Sequence, residues 1–365
     1  MELYHKYFIL LLLLLFLYMS GARAQGKQRP WNNSVSAILV FGDSTVDPGN
    51  NDFIRTAFRS NFPPYGKDFE NKTPTGRFTN GRLATDFIAS YVGIKEYLPP
   101  YLNSTLSIDD LMTGVSFASA GSGFDPLTAR ISNVVDMPQQ LQYFKEYKKR
   151  LESAIGKQAM EKRMQKTFFI ISAGTNDFIV NYFTLPIRRK TFTVSAYQHF
   201  VLQNAQQFLQ ALWDEGARRI LVTGLPPMGC LPAVITMNSQ FNALFQRRCV
   251  GMYCSVAQQY NQMLQNAVKS MHLASAHLGA KIYSLDIYTA LADIIQDPGR
   301  HGFDDISTGC CGTGFLEAGF LCNPNSYVCP DASKYVFWDS IHPTEKTYNI
   351  IFNAFRSIID DMIRD

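Results

Sequence analysis

Two segments near opposite ends of the chain carry the residue types needed for nucleophilic attack on a carbonyl group. Ser44 follows an apolar run that ends in Phe41-Gly42-Asp43, and a serine hydroxyl becomes a good nucleophile when a base removes its proton. His342 can be that base, and Asp339 can hold the imidazole tautomer and stabilise the imidazolium. Each also has a purely structural alternative: Ser44 as a turn or capping serine, and His342 as a satisfied core or surface histidine.

Two further segments contain groups that can stabilise a negatively charged oxygen. Asn176 lies in Ser-Ala-Gly-Thr-Asn-Asp at 172–177, after another apolar run, and its amide can donate a hydrogen bond to an oxyanion. An Asx turn is the alternative for this asparagine. The residues Phe-Ala-Ser-Ala-Gly-Ser-Gly at 117–123 are mostly small and bring backbone N–H groups close to a ligand, although a plain glycine turn has the same composition.

Apolar runs that end beside these segments predict the strands that position them. The runs cover residues 37–41, 167–172, 219–223 and 281–285, with a shorter candidate at 115–118. Unbroken apolar runs are typical of strands buried on both faces of a parallel sheet. Because amphipathic helical patterns lie between them, we expect one α/β/α domain with ligands bound beyond the carboxyl ends of the strands.

Two helix ends can also be predicted. An apolar stripe over residues 83–91 predicts a helix with Thr79-Asn80 as its cap. A second stripe, over residues 348–355, predicts the last helix of the chain, with Thr344 as its N-cap.

The bulk composition excludes several classes of protein. The chain of 365 residues is 46% hydrophobic and 18% charged, which is ordinary for a globular enzyme and unlike a disordered chain. The formal net charge is only +4, so nucleic-acid binding has little support. The cysteines contain no Cys-x-x-Cys pair, so we predict no metal site, and the chemistry above requires no organic cofactor.

The amino terminus predicts export. Lys6 precedes an apolar run from Phe8 to Met19, and Ala22-Arg23-Ala24 has the small residues of a cleavage site. We therefore predict a signal peptide over residues 1–24, followed by a single domain over residues 25–365. A membrane anchor is the alternative, but the run is too short to cross the roughly 30 Å of a bilayer interior, so we expect no stable span.

Two other features agree with export. Asn32, Asn71 and Asn103 begin N-glycosylation sequons. In an oxidising compartment the seven cysteines would form disulfides and leave at least one cysteine unpaired within the chain. We expect a secreted protein, either extracellular or in the cell wall.

Taken together in this order, the segments resemble the GDSL-type esterases and lipases of the SGNH hydrolase superfamily, in particular its secreted plant branch. The resemblance covers almost the whole mature chain. It is carried by Phe-Gly-Asp-Ser at 41–44, Pro-Tyr-Gly at 64–66, Gly-Arg-Phe-Thr-Asn-Gly-Arg at 76–82, Gly-Thr-Asn-Asp at 174–177, Leu-Pro-Pro-Met-Gly-Cys at 225–230, Cys-Cys-Gly-Thr-Gly at 310–314 and Phe-Trp-Asp-Ser-Ile-His-Pro-Thr at 337–344.

The resemblance implies a role for each site residue. Ser44 would be the nucleophile and its N–H an oxyanion donor, His342 the base and Asp339 its orienting residue. Gly121 would be the backbone donor and Asn176 the side-chain donor, and Gly123, two residues from Gly121, is a competing choice for the backbone donor.

The resemblance implies a flavodoxin-like three-layer α/β/α fold with a parallel sheet of about five strands. This fold agrees with the strands and helices that the apolar runs predict. The chain has no Gly-x-Ser-x-Gly motif, because the segment at 114–118 ends in alanine. The strained nucleophile elbow of the α/β-hydrolases is therefore not expected.

The sequence thus predicts a secreted serine esterase or lipase that hydrolyses an ester substrate, which is a lipid, an acylated small molecule or a polymer. An extracellular acyltransferase that uses the same acyl-enzyme is one alternative. A secreted lipid- or glycan-binding protein with an inactive site is another, and it would be expected to have lost the serine, histidine or asparagine that this chain retains.

Overall fold

The computed structural model of the protein describes residues 34–238 and 247–364. The predicted signal peptide over residues 1–24 and the sequon at Asn32 lie outside these residues. Over the described ranges, no helix is both long enough and apolar enough to cross a membrane.

A five-stranded parallel sheet forms the centre of the fold. Its strands, numbered in chain order, are β1 (Ile38–Gly42), β2 (Gly114–Ser116), β3 (Phe168–Ser172), β4 (Arg219–Thr223) and β5 (Lys281–Leu285). They are ordered β2-β1-β3-β4-β5, which is the order of flavodoxin-like sheets. The sequence patterns did not predict the second, smaller parallel sheet of β6 (Asp305–Gly309) and β7 (Tyr335–Phe337).

Helices connect the strands. They are α1 (Ala84–Tyr91), α2 (Ile108–Thr113), α3 (Pro126–Ser132), α4 (Met137–Ile155), α5 (Lys157–Gln165), α6 (Val194–Asp214), α7 (Pro232–Asn238), α8 (Gly251–Ser275), α9 (Ile287–Gln296), α10 (Pro298–His301), α11 (Glu345–Ala354) and α12 (Arg356–Ile363). A π-helix over Asp177–Thr184 follows β3 closely.

The strand predictions agree closely with the structure. The bounds of β4 and β5 are as predicted, whereas β1 and β3 each begin one residue later. The short run predicted at 115–118 forms a strand only as far as Ser116. Beyond it the Asn50 side-chain amide, which donates to the carbonyls of Ser116 and Ala118 at 2.8 Å, holds the chain in a loop.

Helices pack on both faces of the sheet. On one face the Phe41 ring contacts Phe144 of α4 and Phe208 of α6, with centroids 5.8 and 5.5 Å apart. On the other face Ile170 of β3 shares one cavity with Ile359 of α12, among other residues of α1, α9 and α11. The predicted three-layer α/β/α class is therefore confirmed.

One prediction about the helix ends was confirmed and two were wrong. The Thr344 hydroxyl accepts from the N–H of Thr347, so Thr344 is the N-cap of α11 as predicted. The prediction that this helix is the last was wrong, because the chain forms α12 after a break at Phe355. Capping of α1 by Thr79-Asn80 was also wrong: the Asp86 carboxylate caps that helix by accepting from the N–H of Leu83 at 2.9 Å.

The described cysteines form three disulfides, Cys230–Cys249, Cys310–Cys329 and Cys311–Cys322. Cys254 is free, as the odd number of cysteines requires. Two of the three bridges lie between β6 and β7, the part of the chain that leads to Asp339 and His342.

A close backbone approach at the end of β1 fixes the direction in which the chain leaves the sheet. Gly42 has φ +139°, and an added Cβ would lie 1.8 Å from the carbonyl oxygen of Ser172 on β3. The Gly42 carbonyl accepts hydrogen bonds from the Ser119 N–H and from the side chains of Ser122 and Gln140. Only glycine fits here, and Ser44 follows two residues later.

Gly42→Ala is therefore expected to lower the free energy of unfolding by more than about 4 kcal/mol, the range typical of severe clashes. The control is Gly93→Ala, because Gly93 also has a positive φ (+78°) but no atom within 4 Å of an added Cβ. We expect it to cost about 1 kcal/mol, the conformational term alone. Urea unfolding of both variants with disulfides intact measures this, and equal losses would contradict the steric argument.

Candidate active site

The structure brings Ser44, His342 and Asp339 together at the carboxyl end of the sheet. Nε2 of His342 lies 2.8 Å from Oγ of Ser44, and Nδ1 lies 2.7 Å from Oδ2 of Asp339. Ser44 and His342 are 298 positions apart in the chain. Ser44 and His342 are 8% and 5% exposed, and Asp339 is fully buried, so the array opens toward solvent from its serine end.

The Asp339 carboxylate is held by several donors besides the imidazole. Its Oδ1 accepts from the backbone N–H groups of Ile341 at 2.8 Å and His342 at 2.7 Å, which closes a tight turn. Its Oδ2 accepts from the Tyr65 hydroxyl at 2.7 Å. This turn brings the carboxylate of Asp339 into contact with the imidazole of His342, three residues later.

Tyr65 is a site residue that the sequence reasoning missed. It is buried, and its hydroxyl accepts from the N–H of Gly319 at 2.8 Å while donating to Asp339. Burial, together with the neighbouring Asp339 carboxylate, raises the pKa of Tyr65 well above its ordinary value, so the hydroxyl keeps its proton. The signal was the Pro-Tyr-Gly segment at 64–66, which by itself suggests only a turn.

The segment at 76–82 supports the loop that carries His342. The Phe78 ring lies 4.9 Å from the imidazole, centroid to centroid, and the Thr79 hydroxyl donates to the carbonyl of Pro343 at 3.0 Å. The Asn80 side chain accepts from the N–H of Glu345 at 2.9 Å. Thr79 and Asn80 therefore stabilise the entry into α11 rather than the start of α1.

The disulfide-bonded segment supports the same loop from another side. The N–H groups of Cys310 and Cys311 donate to the carbonyls of Phe337 and Trp338 at 3.0 and 2.9 Å. The Ser340 N–H donates to the carbonyl of Glu317 at 2.8 Å. Residues on both sides of Asp339 are therefore bound to a segment that the two bridges make compact.

The turn that carries Ser44 is fixed by its flanking residues. The Asp43 N–H donates to the carbonyl of Ser172 at 3.0 Å, and its carboxylate accepts from the N–H and hydroxyl of Thr45. Burial raises the pKa of Asp43 above its ordinary value. These contacts tie the chain on either side of Ser44 to β3.

Gly121 lies in a loop that is held against the Ser44 segment. The Asp47 carboxylate accepts from the Ala120 N–H, and the Asn51 amide donates to the Ala120 carbonyl, both at 2.9 Å. Within residues 34–238 and 247–364, the N–H groups of Ser44 and Gly121 have no hydrogen-bond acceptor. In the same ranges the Gly123 N–H also has no acceptor, so Gly123 stays the competing choice for the backbone donor, although an added Cβ there would lie 2.1 Å from the Asp177 carboxylate.

Asn176 lies between the end of β3 and the π-helix. Its side-chain amide donates to the carbonyl of Ser122 at 2.9 Å, a residue 54 positions earlier. Its side-chain oxygen accepts from no N–H of the described residues, so Asn176 does not form a local Asx turn. Asp177 accepts from the N–H groups of Phe124 and Asp125, and burial raises its pKa to about 7. The two residues join the loop after β2 to the loop after β3.

Serine, imidazole and buried carboxylate in this order can transfer a proton from the hydroxyl and stabilise the positive charge that results. The described part of the chain contains no cluster of three or more histidine, cysteine, aspartate or glutamate side chains suited to a metal ion.

Comparison with known proteins shows the family to which the chain belongs. The sequence model of the GDSL-like lipase/acylhydrolase family matches residues 38–355. A GDSL esterase/lipase of Arabidopsis thaliana is 60% identical over 342 residues, which cover 94% of this chain and 90% of the relative. A second one from the same plant is 45% identical over 315 residues, 86% of each chain. The chain belongs to the GDSL-like lipase/acylhydrolase family, whose members are carboxylic ester hydrolases.

A solved acetylxylan esterase from Geobacillus stearothermophilus also aligns with 90% of this chain and 97% of its own, with a TM-score of 0.40 and 13% identity.

Replacing Tyr65 by phenylalanine keeps the ring and removes one donor to the Asp339 carboxylate. Because a hydrogen bond to a charged group is lost, we expect kcat for ester hydrolysis to fall about tenfold. KM should stay within about twofold, because Tyr65 acts through Asp339 and does not contact the substrate. Steady-state kinetics of the two proteins measure the split.

The matched control is Tyr147→Phe, because the buried Tyr147 hydroxyl donates to the carbonyl of Leu111 at 2.8 Å in the hydrophobic core. It should cost about 1 kcal/mol of unfolding free energy and leave kcat unchanged. If both variants lower kcat alike, Tyr65 has no specific effect on Asp339.

Proposed function

We propose that the chain hydrolyses carboxylic esters through a covalent acyl-enzyme on Ser44, with His342 as general base and Asp339 as its orienting carboxylate. The single observation that supports this most is the continuous hydrogen-bonded array from Ser44 Oγ to Nε2 and from Nδ1 to Asp339. Membership of the GDSL-like lipase/acylhydrolase family supports the reaction class.

In the first half of the reaction, Ser44 Oγ attacks the ester carbonyl carbon while His342 Nε2 takes the hydroxyl proton. The tetrahedral intermediate collapses, the bond between carbon and the alcohol oxygen breaks, and His342 gives its proton to the departing alcohol. Asp339 stabilises the imidazolium throughout and is not itself protonated.

In the second half, water replaces the alcohol. His342 takes a proton from the water as its oxygen attacks the acyl carbon, and the bond to Ser44 Oγ then breaks with return of the proton to the serine. The products are a carboxylic acid and an alcohol, and the enzyme is regenerated.

The oxyanion of each intermediate is held, in this proposal, by the N–H groups of Ser44 and Gly121 and by the amide of Asn176. Two features favour these donors. The two backbone N–H groups have no other acceptor within the described ranges, and Asn176 binds Ser122, the neighbour of Gly121, by only one hydrogen bond from its amide. Fixed donors of this kind stabilise developing charge without reorganisation.

We also propose that the protein is secreted after removal of residues 1–24, with residues 25–365 as one hydrolase domain. The apolar amino-terminal run and the three disulfides support this location. Asn71 is exposed and Asn103 is half-buried, so the surface is open to glycosylation at the first of these sequons.

Four single substitutions test the assignment of roles on p-nitrophenyl acetate. Ser44→Ala and His342→Ala should each lower kcat by at least about ten-thousand-fold, because members of a catalytic unit fail together. Asp339→Ala should leave more residual activity, because the backbone turn still holds the ring approximately in place. Asn176→Ala should lower kcat roughly 100- to 1000-fold with little change in KM, as expected for one oxyanion donor.

His301→Ala is the matched control, because His301 Nε2 lies 3.0 Å from Oδ2 of the exposed Asp293, whereas His301 does not bond to Ser44. It should keep wild-type kinetics. Residual activity above a few per cent in a folded Ser44→Ala variant would refute the nucleophile, and an Asn176→Ala effect confined to KM would make Asn176 a substrate-binding residue.

A further inference from the structure

The segment after Ser44 contains three buried polar residues that have no part in the reaction proposed above. Asp47, Asn50 and Asn51 are 0%, 1% and 1% exposed. Their side chains all bond to the stretch of chain at 116–120, which leads from β2 to Gly121. Because burial of a polar group is costly unless the group is hydrogen-bonded, this stretch of chain must keep these contacts.

Asn51 uses its whole side-chain amide in such contacts. Its Nδ2 donates to the carbonyl oxygens of Ala120 at 2.9 Å and Phe58 at 2.7 Å. Its Oδ1 accepts from the Ser119 hydroxyl. Two carbonyl oxygens on one side require the amide nitrogen there, so the orientation of the Asn51 side chain is unambiguous.

The Ala120 carbonyl belongs to the same peptide group as the Gly121 N–H. A trans peptide is planar, and its C=O and N–H bonds point in opposite directions. The hydrogen bond from Asn51 to this carbonyl therefore directs the Gly121 N–H away from Asn51. Among the residues that the structure describes, this N–H meets no acceptor, which leaves it free for an oxyanion.

Gly121 cannot fix this direction by itself. Turning the Ala120–Gly121 peptide over changes ψ of Ala120 and φ of Gly121, which is +89° here. Glycine adopts positive and negative φ with similar ease, so its own sterics favour neither orientation. The orientation of the peptide therefore depends on the contact between Asn51 and the Ala120 carbonyl.

Asp47 holds the other side of Ala120. Its Oδ2 accepts from the Ala120 N–H at 2.9 Å, whereas its Oδ1 accepts from the N–H groups of Gly49 at 2.8 Å and Asn50 at 2.6 Å. One carboxylate oxygen thus closes a local turn, and the other binds the loop. Asp47 and Asn51 together fix the peptide groups before and after Ala120.

The same geometry separates Gly121 from Gly123. The Asn176 amide donates to the Ser122 carbonyl at 2.9 Å, which directs the Gly123 N–H away from Asn176. A backbone donor that shares an oxyanion with Asn176 must instead converge with it on one oxygen atom. This contact favours Gly121 as the backbone donor.

We propose that Asn51 is a positioning residue of the oxyanion hole, and that it holds the Ala120–Gly121 peptide in the orientation that presents the Gly121 N–H to the substrate. Asp47 supports this orientation through the Ala120 N–H. The inference rests on the proposed function, because the oxyanion that this N–H binds forms only when Ser44 attacks the ester.

Asn51→Asp tests the proposal with p-nitrophenyl acetate as substrate. The new carboxylate repels the Ala120 carbonyl and attracts the Gly121 N–H, so the peptide turns over and the donor is lost. We expect kcat to fall roughly 100-fold, the effect of one oxyanion donor, with KM within about twofold of wild type. Steady-state kinetics measure the activity, and urea unfolding measures the stability separately.

The matched control is Asn261→Asp, because Asn261 is also buried and its amide also holds a loop backbone. Its Nδ2 donates to the carbonyl of Leu225 at 2.8 Å, and its Oδ1 accepts from the N–H of the same residue at 2.6 Å. The substitution places a carboxylate against a carbonyl in the same way but leaves the Gly121 peptide in place. Its kcat should stay within about threefold of wild type, because effects at sites without shared partners are independent.

An alkyl trifluoromethyl ketone distinguishes loss of an oxyanion donor from a general change in the site. Ser44 Oγ adds to its carbonyl carbon, the serine proton passes to His342, and the carbonyl oxygen becomes an oxyanion like that of the intermediate. The Ki of this ketone should rise in Asn51→Asp by about the factor by which kcat/KM falls. The matching methyl ketone, which is too unreactive to form the adduct, should bind equally well to both proteins.

Asp47→Asn tests the same peptide if Asn51→Asp does not fold. The remaining oxygen can still accept from Gly49 and Asn50, but the new amide faces the Ala120 N–H, donor against donor. We expect kcat about tenfold lower with KM unchanged, because a hydrogen bond to a charged group is lost.

The control for Asp47→Asn is Asp305→Asn. Oδ1 of Asp305 closes the same kind of local turn, since it accepts from the N–H groups of Ser307 and Thr308, both at 2.9 Å. Its Oδ2 accepts from the Thr308 hydroxyl, which can accept from the new amide instead, so kcat should not change. Equal kcat values in Asp47→Asn and Asp305→Asn would contradict the proposal.

If Asn51→Asp lowers kcat no more than Asn261→Asp does, or if its effect is confined to KM, Asn51 has no positioning role. Equal losses of affinity for the two ketones would overturn the proposal as well. Ser44→Ala distinguishes this failure from failure of the proposed function. Hydrolysis that Ser44→Ala abolishes, with Asn51→Asp and its control alike, overturns the positioning role alone. Hydrolysis that survives in Ser44→Ala overturns the function on which it rests.

Discussion

The buried carboxylate of Asp339 is the constraint on which the surrounding structure depends. Removing a carboxylate from water costs on the order of several kcal/mol unless donors replace the lost hydration. Here two backbone N–H groups, the Tyr65 hydroxyl and the imidazole of His342 supply those donors. Each of these donors is held in place by its own contacts. Stabilising the buried charge of Asp339 therefore requires a defined arrangement of the surrounding backbone and side chains.

That requirement explains features that otherwise look unrelated. Tyr65 must be held by Gly319, which lies in the segment closed by the bridges Cys310–Cys329 and Cys311–Cys322. The same segment binds the backbone on both sides of Asp339. The disulfides thus stabilise the aspartate–histidine loop through hydrogen bonds from this segment.

The serine end of the array depends instead on the parallel sheet. The strands β1 and β3 are neighbours and pair from Ile38–Phe168 to Gly42–Ser172, so the loops that follow them leave the sheet side by side. Gly42 allows these backbones to approach closely, and its carbonyl also binds the loop that carries Gly121. Residues about 130 positions apart in the chain meet because the sheet order requires it.

Much of this arrangement could be predicted from the sequence, and the remainder could not for a physical reason. Strands β4 and β5 and the cap at Thr344 follow from local patterns. A strand buried on both faces requires a short apolar run, and the start of a helix favours a threonine that can accept from a backbone N–H. Ser44, His342 and Asp339 could be selected by residue type and order. Tyr65 and Asn80 could not, because their roles are contacts with residues more than 260 positions away that no local pattern records.

The proposed reaction depends on activation of Ser44 by His342. The most direct measurement is covalent labelling with a fluorophosphonate probe, which reacts with activated serines, followed by peptide mapping of the labelled site. We expect one label per chain, located on Ser44, and labelling slower by several orders of magnitude in His342→Ala. Labelling of another residue, or labelling of Ser44 at an unchanged rate without the imidazole, would contradict it.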